Sequence, residues 1–484
     1  MNIAVVANVL GTLVLAAGAT MFFPLALSVI LEENEAAAAF LVSAVLCLIV
    51  AFELKNHGLQ AGRLSIREGI AITGLGWLSV SFLGMLPYVF GGYMNVLDGF
   101  TESVSGFSGT GATVLKSVEA LPMSVLLWRS LTGWIGGLGI IVIFVAILPQ
   151  AGRGSVFMMK AESTGPTSER QLPKIRDNAK ALFGVYFIFT ALCALSYRLC
   201  GMDVFAAVNH ACSTIATGGF SVFDDGIVRY NSPALELCMA FFMLISSGSF
   251  ALYLTAFNHG VKRLTHNTEL RVYLAIVAVA AVLVFADLAL ETDMDLLASL
   301  RYAVFHVTSI SSTTAYVIND FDEWPAFSKA VLLILMFIGG CAGSTSGGLK
   351  VSRVVLLFKL TEMLVKQKMH PQMITGVRLN GQNIPDEVMI GVARYFFAYI
   401  IVDIVFAMIM VMNGLPLVES TGVSISTMGS VGPGFGFAGA TSTYEELPPL
   451  CKIAACGVMF LGRLEIFTVA VMFTPEFWRR KKGW

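Results

Sequence analysis

The stretch DGFTESVSGFSGTGATVL, residues 98–115, decides how this chain is read. It lies in a half-length amphipathic segment, 96–110, that runs into a turn of glycine, alanine and threonine. Such a segment is too short to cross a bilayer, which takes about 20 apolar residues. The same order recurs three times, with half-length segments at 203–217, 296–313 and 416–429. The four turns read Gly109-Thr110-Gly111-Ala112-Thr113, Thr217-Gly218-Gly219-Phe220-Ser221, Thr313-Thr314-Ala315-Tyr316-Val317 and Ser430-Val431-Gly432-Pro433-Gly434. Their centres, 111, 219, 315 and 432, are separated by 108, 96 and 117 residues, a spacing that marks internal repetition.

Working outward, apolar runs flank every half-length segment. Ten are long enough to span: 3–31, 37–54, 70–91, 124–149, 180–200, 233–258, 269–290, 326–360, 387–413 and 448–474. Over its 484 residues the chain is 56% hydrophobic and only 13% charged, about half the charged share of a soluble domain. That excludes a soluble enzyme and a disordered scaffold, and a net charge of −1 leaves no basic footprint for nucleic acid. The run from Ile3 to Leu31 lacks a basic leader and is long enough to span, so it reads as a helix rather than a signal peptide. The expected fold is all-α integral membrane. Ten spanning helices and four re-entrant pore helices form four span–pore helix–span repeats with pseudo-fourfold symmetry. The division is 1–64, two extra N-terminal helices; 65–160, repeat 1; 161–266, repeat 2; 267–370, repeat 3; and 371–484, repeat 4.

Charge sorts the connections. Lys55, Arg63 and Arg67, the run Arg153–Arg176, Lys262, Arg263 and Arg271, Lys359–Arg378 and Arg479–Lys482 fall in one set. Glu32, Glu33 and Glu35, Asp98 and Glu102, Asp224 and Asp225, the acids of 291–323, and Glu445 and Glu446 fall in the other. The positive-inside rule puts the basic set and both termini in the cytoplasm. The half-length segments then dip in from an acidic outer face, which either concentrates cations or merely solvates the protein.

Non-helical backbone at membrane depth survives only where it is packed in protein or lines a watery cavity. Glycine allows successive carbonyls to point one way. Four such segments around an axis make rings of carbonyl dipoles that replace the hydration shell of a monovalent cation. Divalent ions call for carboxylate ligands, which the turns lack. The filter is expected at Thr110, Gly111, Thr217, Gly218, Gly219, Thr314, Ala315, Val431 and Gly432, holding potassium by backbone carbonyls. The stretch 339–350 interrupts an apolar run with glycine, serine and threonine and reads as a gate loop, carried by Gly343, Ser344, Thr345, Ser346, Gly347 and Gly348. Arg463, the one arginine read as stranded at mid-membrane, is expected below the filter as a positive gate-keeper; the alternative is a structural pair with Glu465. Lys350 reads as snorkelling to the cytoplasmic end of its span.

Other patterns carry less. Gly106-Phe107-Ser108-Gly109 matches an intramembrane protease pattern with His210 and His306 as bases, but repetition explains all three better. Gly339–Lys350 lacks the Gly-Lys-Ser/Thr of a phosphate loop. Gly133, Gly136, Gly137 and Gly139 read as close helix packing. Eight cysteines, Cys47, Cys193, Cys212, Cys238, Cys341 and Cys456 among them, show no CxxC pair and read as small apolar residues. Asp287 and Asp403 are the intramembrane carboxylates that a proton-coupled transporter would need.

With the repeat established, the sequence resembles the TrkH branch of the Trk/Ktr/HKT potassium-transporter superfamily. The resemblance rests on residues 98–115, on Lys160–Pro166, on His370-Pro371 with Val377–Gly381, on Gly339–Lys350, and on Gly462-Arg463-Leu464-Glu465. It implies inward potassium movement across the cytoplasmic (inner) membrane and a homodimer seated on cytosolic TrkA-type nucleotide-binding subunits. Segments 150–180 and 361–386 are the expected docking surfaces for a regulator, their basic character fitting either a partner or the lipid surface, and no cofactor is implied in this chain beyond potassium as substrate. A proton- or sodium-coupled cation symporter, including a sodium-permeable variant, is the alternative. Three positions depart from the family pattern: Ala315 stands for glycine, Ser430 for Asn or Thr, and Ser246-Ser247-Gly248 for Gly-Gly. Left-handed backbone costs alanine about 1 kcal/mol or more, so the third ring is expected to be distorted or differently selective.

Overall fold

The computed structural model describes residues 1–58, 65–139, 175–370, 376–380 and 382–479. Lys160–Pro166, Pro371, Gly381, the second half of the span expected over 124–149, and the expected repeat boundaries near 64, 160 and 371 lie outside the described residues. In lipid no water satisfies backbone amides, so apolar segments close their hydrogen bonds internally as helices. Among the described residues six helices are long and apolar enough to cross a membrane: Ile3–Ile30, Asn34–Asn56, Ile66–Phe90, Asp177–Leu199, Thr268–Glu291 and Asp386–Met412. Two sharply bent pairs bring this to eight if each counts as one span. Pro233–Ser246 and Phe250–His259 meet at 88°, and Pro449–Arg463 and Ile466–Met472 at 118°.

Three expected spans are therefore not straight rods. The run 326–360 divides into Ala326–Ile338 and Val351–Met369 around the loop 339–350. In 233–258 the helix breaks at Ser247–Ser249, so these residues do more than add polarity to a continuous helix. In 448–474 the break falls at Leu464–Glu465, and Arg463 ends a helix rather than occupying mid-span.

Four half-length helices, Val96–Ser108, Val204–Ile215, Leu296–Ser311 and Leu417–Met428, stand where the half-length segments are expected. Three are capped from their own loops: Asn95 accepts from the Asp98 amide (2.9 Å), Asp203 from Ala206 (2.9 Å) and Asp295 from Leu297 (3.2 Å). At 12 to 16 residues they reach about 18–24 Å, short of the ~30 Å hydrocarbon core.

Burial is inverted relative to a soluble protein. Phe52, Phe187, Val282, Ile404 and Met412 are exposed on the outer belt, while Ser105, Ser213, Thr214, Ser309 and Ser426 are buried on the half-length helices. Without a hydrophobic drive between helices, close approach and polar contacts hold such a bundle. At Gly136 an added Cβ would fall against the Phe107 backbone, and at Gly137 it would lie 2.8 Å from Ala216 Cα, so helix Met123–Leu138 packs backbone to backbone beside the first and second turns. Gly133 has ordinary space and is not part of that contact. The N-terminal helices pack against Ile66–Gly84, where a Cβ on Gly76 would meet Leu13 at 2.8 Å.

Candidate functional site

The four turns share a backbone signature. Gly109, Thr217, Thr313 and Ser430 have φ of +73°, +53°, +61° and +53°, and two residues on Gly111, Gly219, Ala315 and Gly432 have +74°, +67°, +56° and +102°. This alternation tilts successive carbonyls in a way that ordinary strand or helix backbone does not. Neighbouring turns touch through backbone. A Cβ on Gly111 would strike the Gly218 carbonyl, one on Gly219 the Thr314 carbonyl, and one on Gly432 would lie 2.5 Å from the Thr110 carbonyl. The segments around Gly111, Gly219, Ala315 and Pro433 together line one cavity of about 370 Å³.

Ala315 occupies the left-handed region despite its methyl group, which is buried in an apolar cluster with Val431. The junction between the third and fourth turns thus admits a side-chain carbon that the junctions at Gly111 and Gly219 exclude. The half-length helices end at the turns and aim their negative dipole ends toward them, favouring a cation there.

Much of the acidic rim is structural. Glu33 accepts from the Met123 and Ser124 amides (2.8 and 3.1 Å), capping a helix. Asp98 pairs with Lys452 at 2.7 Å. Asp320 and Asp322 accept from Thr441 Oγ1 (3.1 Å) and the Gly436 amide (3.2 Å), tying the loops after the third and fourth turns together. Burial pushes the Asp322 carboxyl above its ordinary range, with only partial relief from the Gly436 amide. At Asp224 burial also favours the neutral form, but Ser117 Oγ (2.6 Å) and the Val118 and Glu119 amides outweigh it and hold that carboxyl low.

Beneath the turns lies the loop 339–350. Its Cys341 amide donates to Ser247 O (2.9 Å) and its Gly343 carbonyl accepts from Phe250 N (3.1 Å), so it seats in the break of the bent second-unit pair. Thr345 Oγ1 lies 2.9 Å from Ile215 O, at the end of the second half-length helix, and 3.1 Å from Ser246 O. The Gly347 amide donates to Thr313 Oγ1 (2.9 Å), and Gly347 abuts the Gly429 carbonyl so closely that no side chain fits. Arg463 joins the loop to the first unit: Nη1 donates to Thr345 O (3.0 Å), and Nη2 to Gly136 O and Gly137 O (both 2.6 Å). Residues that flank each of the four turns in sequence therefore meet at this loop.

Several side chains are placed differently from the sequence reading. Lys350 does not snorkel; it is buried and donates to the Ser346 carbonyl within the loop. Glu465 pairs with Arg353, not Arg463. Arg463 is not the only arginine at depth, since Arg129 and Arg353 are buried too. Ser108 Oγ faces Thr110 Oγ1 (2.7 Å) and Ser105 O (3.2 Å), while His210 and His306 face other groups, so the protease constellation does not assemble. Asp287 accepts from Ser328 N and Oγ (3.0 and 2.6 Å), and Asp403 lies 3.2 Å from Ser424 Oγ; each joins two helices. Sequence reasoning also missed Glu269, which accepts from the amides of Ala342 (2.6 Å) and Ser352 (3.1 Å) and so grips both flanks of the loop. It missed the pair of Glu102 with Arg129. An arginine inside an apolar run was the available signal for Arg129.

The chain matches the TrkH family profile, described as "Cation transport protein", over residues 37–480. It is 35% identical to the Trk system potassium uptake protein TrkH of Halomonas elongata over 99% of this chain and 100% of that one. It is 33% identical to the protein of the same name from Escherichia coli, again over 99% and 100%, and 31% identical to Escherichia coli TrkG over 99% of each. The crystal structure of the potassium transporter TrkH from Vibrio parahaemolyticus superposes with a TM-score of 0.89 at 31% identity, covering 99% of this chain and 100% of that one. Full-length similarity in sequence and fold together place the chain in the TrkH family of cation transport proteins.

Proposed function

We propose that this chain is a potassium-translocating pore subunit of the cytoplasmic (inner) membrane, multi-pass, with both termini cytoplasmic. The observation that carries the reading is that segments of the four turns, each turn with a similar pair of left-handed angles, line a single cavity. Carbonyls of Thr110, Gly111, Thr217, Gly218, Gly219, Thr314, Ala315, Val431 and Gly432 take the place of water around a dehydrated potassium ion. The repeats 65–160, 161–266, 267–370 and 371–484 surround the axis with pseudo-fourfold symmetry, and residues 1–64 pack outside them. Ten spans are completed by the two bent pairs, by the interrupted run 326–360 and by the run 124–149, of which Met123–Leu138 is described. Gly343–Gly348 and Arg463 form the gate below the filter: the loop closes the path, and the guanidinium both pins it and repels cations.

The relatives named for potassium uptake support the substrate. A homodimer resting on cytosolic TrkA-type nucleotide-binding subunits completes the assembly. The hairpin Arg378–Asn383 suits the regulator, because Asn380 Oδ1 accepts from the Thr268 amide (2.8 Å) one residue before Glu269, which grips the loop. A proton- or sodium-coupled symporter is the second reading. Its one specific support is Asp403, whose Oδ2 is buried with no hydrogen-bond partner in the structure. Uptake of ⁸⁶Rb⁺ into proteoliposomes of the purified chain separates the two. Flux down a potassium gradient with no other gradient present supports the pore, strict dependence on a proton or sodium gradient supports the symporter, and absence of flux in every ionic condition refutes both.

A further inference from the structure

Three of the four turns are held from behind by one recurring position. Glu102 lies nine residues before Gly111, and the same distance before Gly219, Ala315 and Gly432 stand His210, His306 and Val423. All four are fully buried on the half-length helices. Glu102 accepts from Thr113 Oγ1 (3.1 Å to each carboxylate oxygen) and from the Val114 amide (3.0 Å). His210 Nδ1 lies 2.9 Å from Ala206 O and so carries the proton, leaving Nε2 to accept from Ser221 Oγ at 3.2 Å. His306 Nδ1 likewise lies 2.9 Å from Tyr302 O and carries the proton, leaving Nε2, 3.0 Å from Asn319 O, to accept from the Ile318 amide at 3.4 Å just past the third turn. In the fourth unit Val423 makes no such bond and packs against Gly434, where a Cβ would come within 2.8 Å; Tyr444 donates instead to Gly432 O at 2.7 Å.

Only the first unit carries an ionised brace, and it reaches beyond its own turn. Arg129 Nε and Nη2 each lie 2.8 Å from Glu102 Oε1. Nη1 donates to Ser221 O in the second turn (3.1 Å), and the guanidinium carbon sits 4.2 Å over the Phe220 ring. A buried chain of charge-assisted bonds thus runs from the Thr113–Val114 backbone through Glu102 and Arg129 to the second turn. A charge pair this dry tolerates little change in geometry, because either partner left alone is strongly penalised.

We propose that the Glu102–Arg129 pair is a positioning element for ion selectivity. It fixes the distance between the first and second turns, so that their carbonyls cannot draw inward to the shorter contacts sodium prefers. His210, His306 and Tyr444 hold the remaining turns by weaker neutral bonds. The proposal rests on the reading of the turns as a potassium filter.

The test uses the purified full chain in proteoliposomes, as wild type, Glu102→Gln, Arg129→Gln, the double variant and Thr113→Val. The readouts are the concentrations of K⁺ and of Na⁺ that halve ⁸⁶Rb⁺ uptake, the maximal uptake rate, and the melting temperature in detergent. Each single charge variant is expected to lower the K⁺/Na⁺ preference by about tenfold, the scale of one lost charge-assisted bond. Uptake without sodium persists, and the double variant is no worse than the poorer single. Thr113→Val leaves the charges paired and shifts the preference the same way by less. It carries the test if the charge variants do not fold. A wild-type preference in every folded variant, with only the melting temperature lowered, overturns the brace and leaves the filter reading standing. A wild-type chain that carries no rubidium overturns both.

Discussion

Arg463→Ala tests the proposed gate most directly. The guanidinium makes one bond to the loop, to Thr345 O at 3.0 Å, and two to the first-unit helix at Gly136 O and Gly137 O, both 2.6 Å. A hydrogen bond from a charged donor contributes about 1.5–3 kcal/mol net. Among the described bonds, those to Gly136 and Gly137 anchor the arginine itself, and the one to Thr345 O bears on the closed–open balance of the loop in the proposed gate. Thr345 Oγ1, the Gly347 amide and the two amides held by Glu269 remain in place, so closure weakens without vanishing. With about 1.4 kcal/mol per factor of ten, the open population rises roughly ten- to a hundredfold, up to saturation. Removing a positive charge beside the proposed cation path acts in the same direction. The assay is initial ⁸⁶Rb⁺ uptake into proteoliposomes at a fixed potassium gradient, per folded molecule counted by size exclusion. Arg463→Lys keeps the charge but loses the forked geometry, and falls between wild type and alanine. Unchanged or reduced uptake in Arg463→Ala protein that elutes and melts like wild type would refute both the pinning and the repulsion.

At the proposed filter, Gly111→Ser sets a Cβ against the Gly218 carbonyl at a left-handed φ that alone costs a side chain about 1–2 kcal/mol; selective rubidium uptake should drop by roughly tenfold or more, and retained uptake with intact selectivity would remove Gly111 from the proposed filter. Ala315→Gly relieves a similar left-handed cost but adds about 0.5–1 kcal/mol of unfolded-state entropy, so the melting temperature should barely move while the K⁺/Na⁺ preference changes; an unaltered preference means that the third turn already has its working geometry. Asp224→Asn should destabilise the fold slightly at pH 7, by less than about 1 kcal/mol once solvent screening is counted, read as a small drop in melting temperature. Because the folded carboxyl is held low, its contribution is complete above the unfolded value near 3.9 and disappears as pH falls through the lower folded value. A difference between Asp224→Asn and wild type that persists below that value contradicts the assignment.

The fold was largely legible where it depended on local composition. Apolar runs became helices, and each Gly/Ser/Thr cluster at 109–113, 217–221, 313–317 and 430–434 became a turn, because glycine and short polar residues release the backbone wherever they occur. The breaks at Ser247–Ser249 and Leu464–Glu465 were not legible. Serine and leucine do not break helices by themselves; the loop 339–350 breaks the first by bonding Ser247 O and Phe250 N, and Glu465 is drawn to Arg353 on another helix. Lys350 was misplaced for a similar reason. A lysine near a span's end ordinarily reaches for water, but here the loop folds back over it and offers the Ser346 carbonyl.

From residue types and their spacing follow residence in lipid, the positions where backbone leaves the helix, and the fourfold recurrence of one turn. All of these are short-range consequences of hydrophobicity and of glycine's freedom. Which buried charges meet is a different matter. Glu102 and Arg129 are 27 residues apart, Arg353 and Glu465 112, and Thr345 and Arg463 118. Such partners are chosen by how the helices pack. A buried ion must find its counter-charge or a carbonyl wherever the packing brings one within reach, and neither periodicity nor composition records that distance.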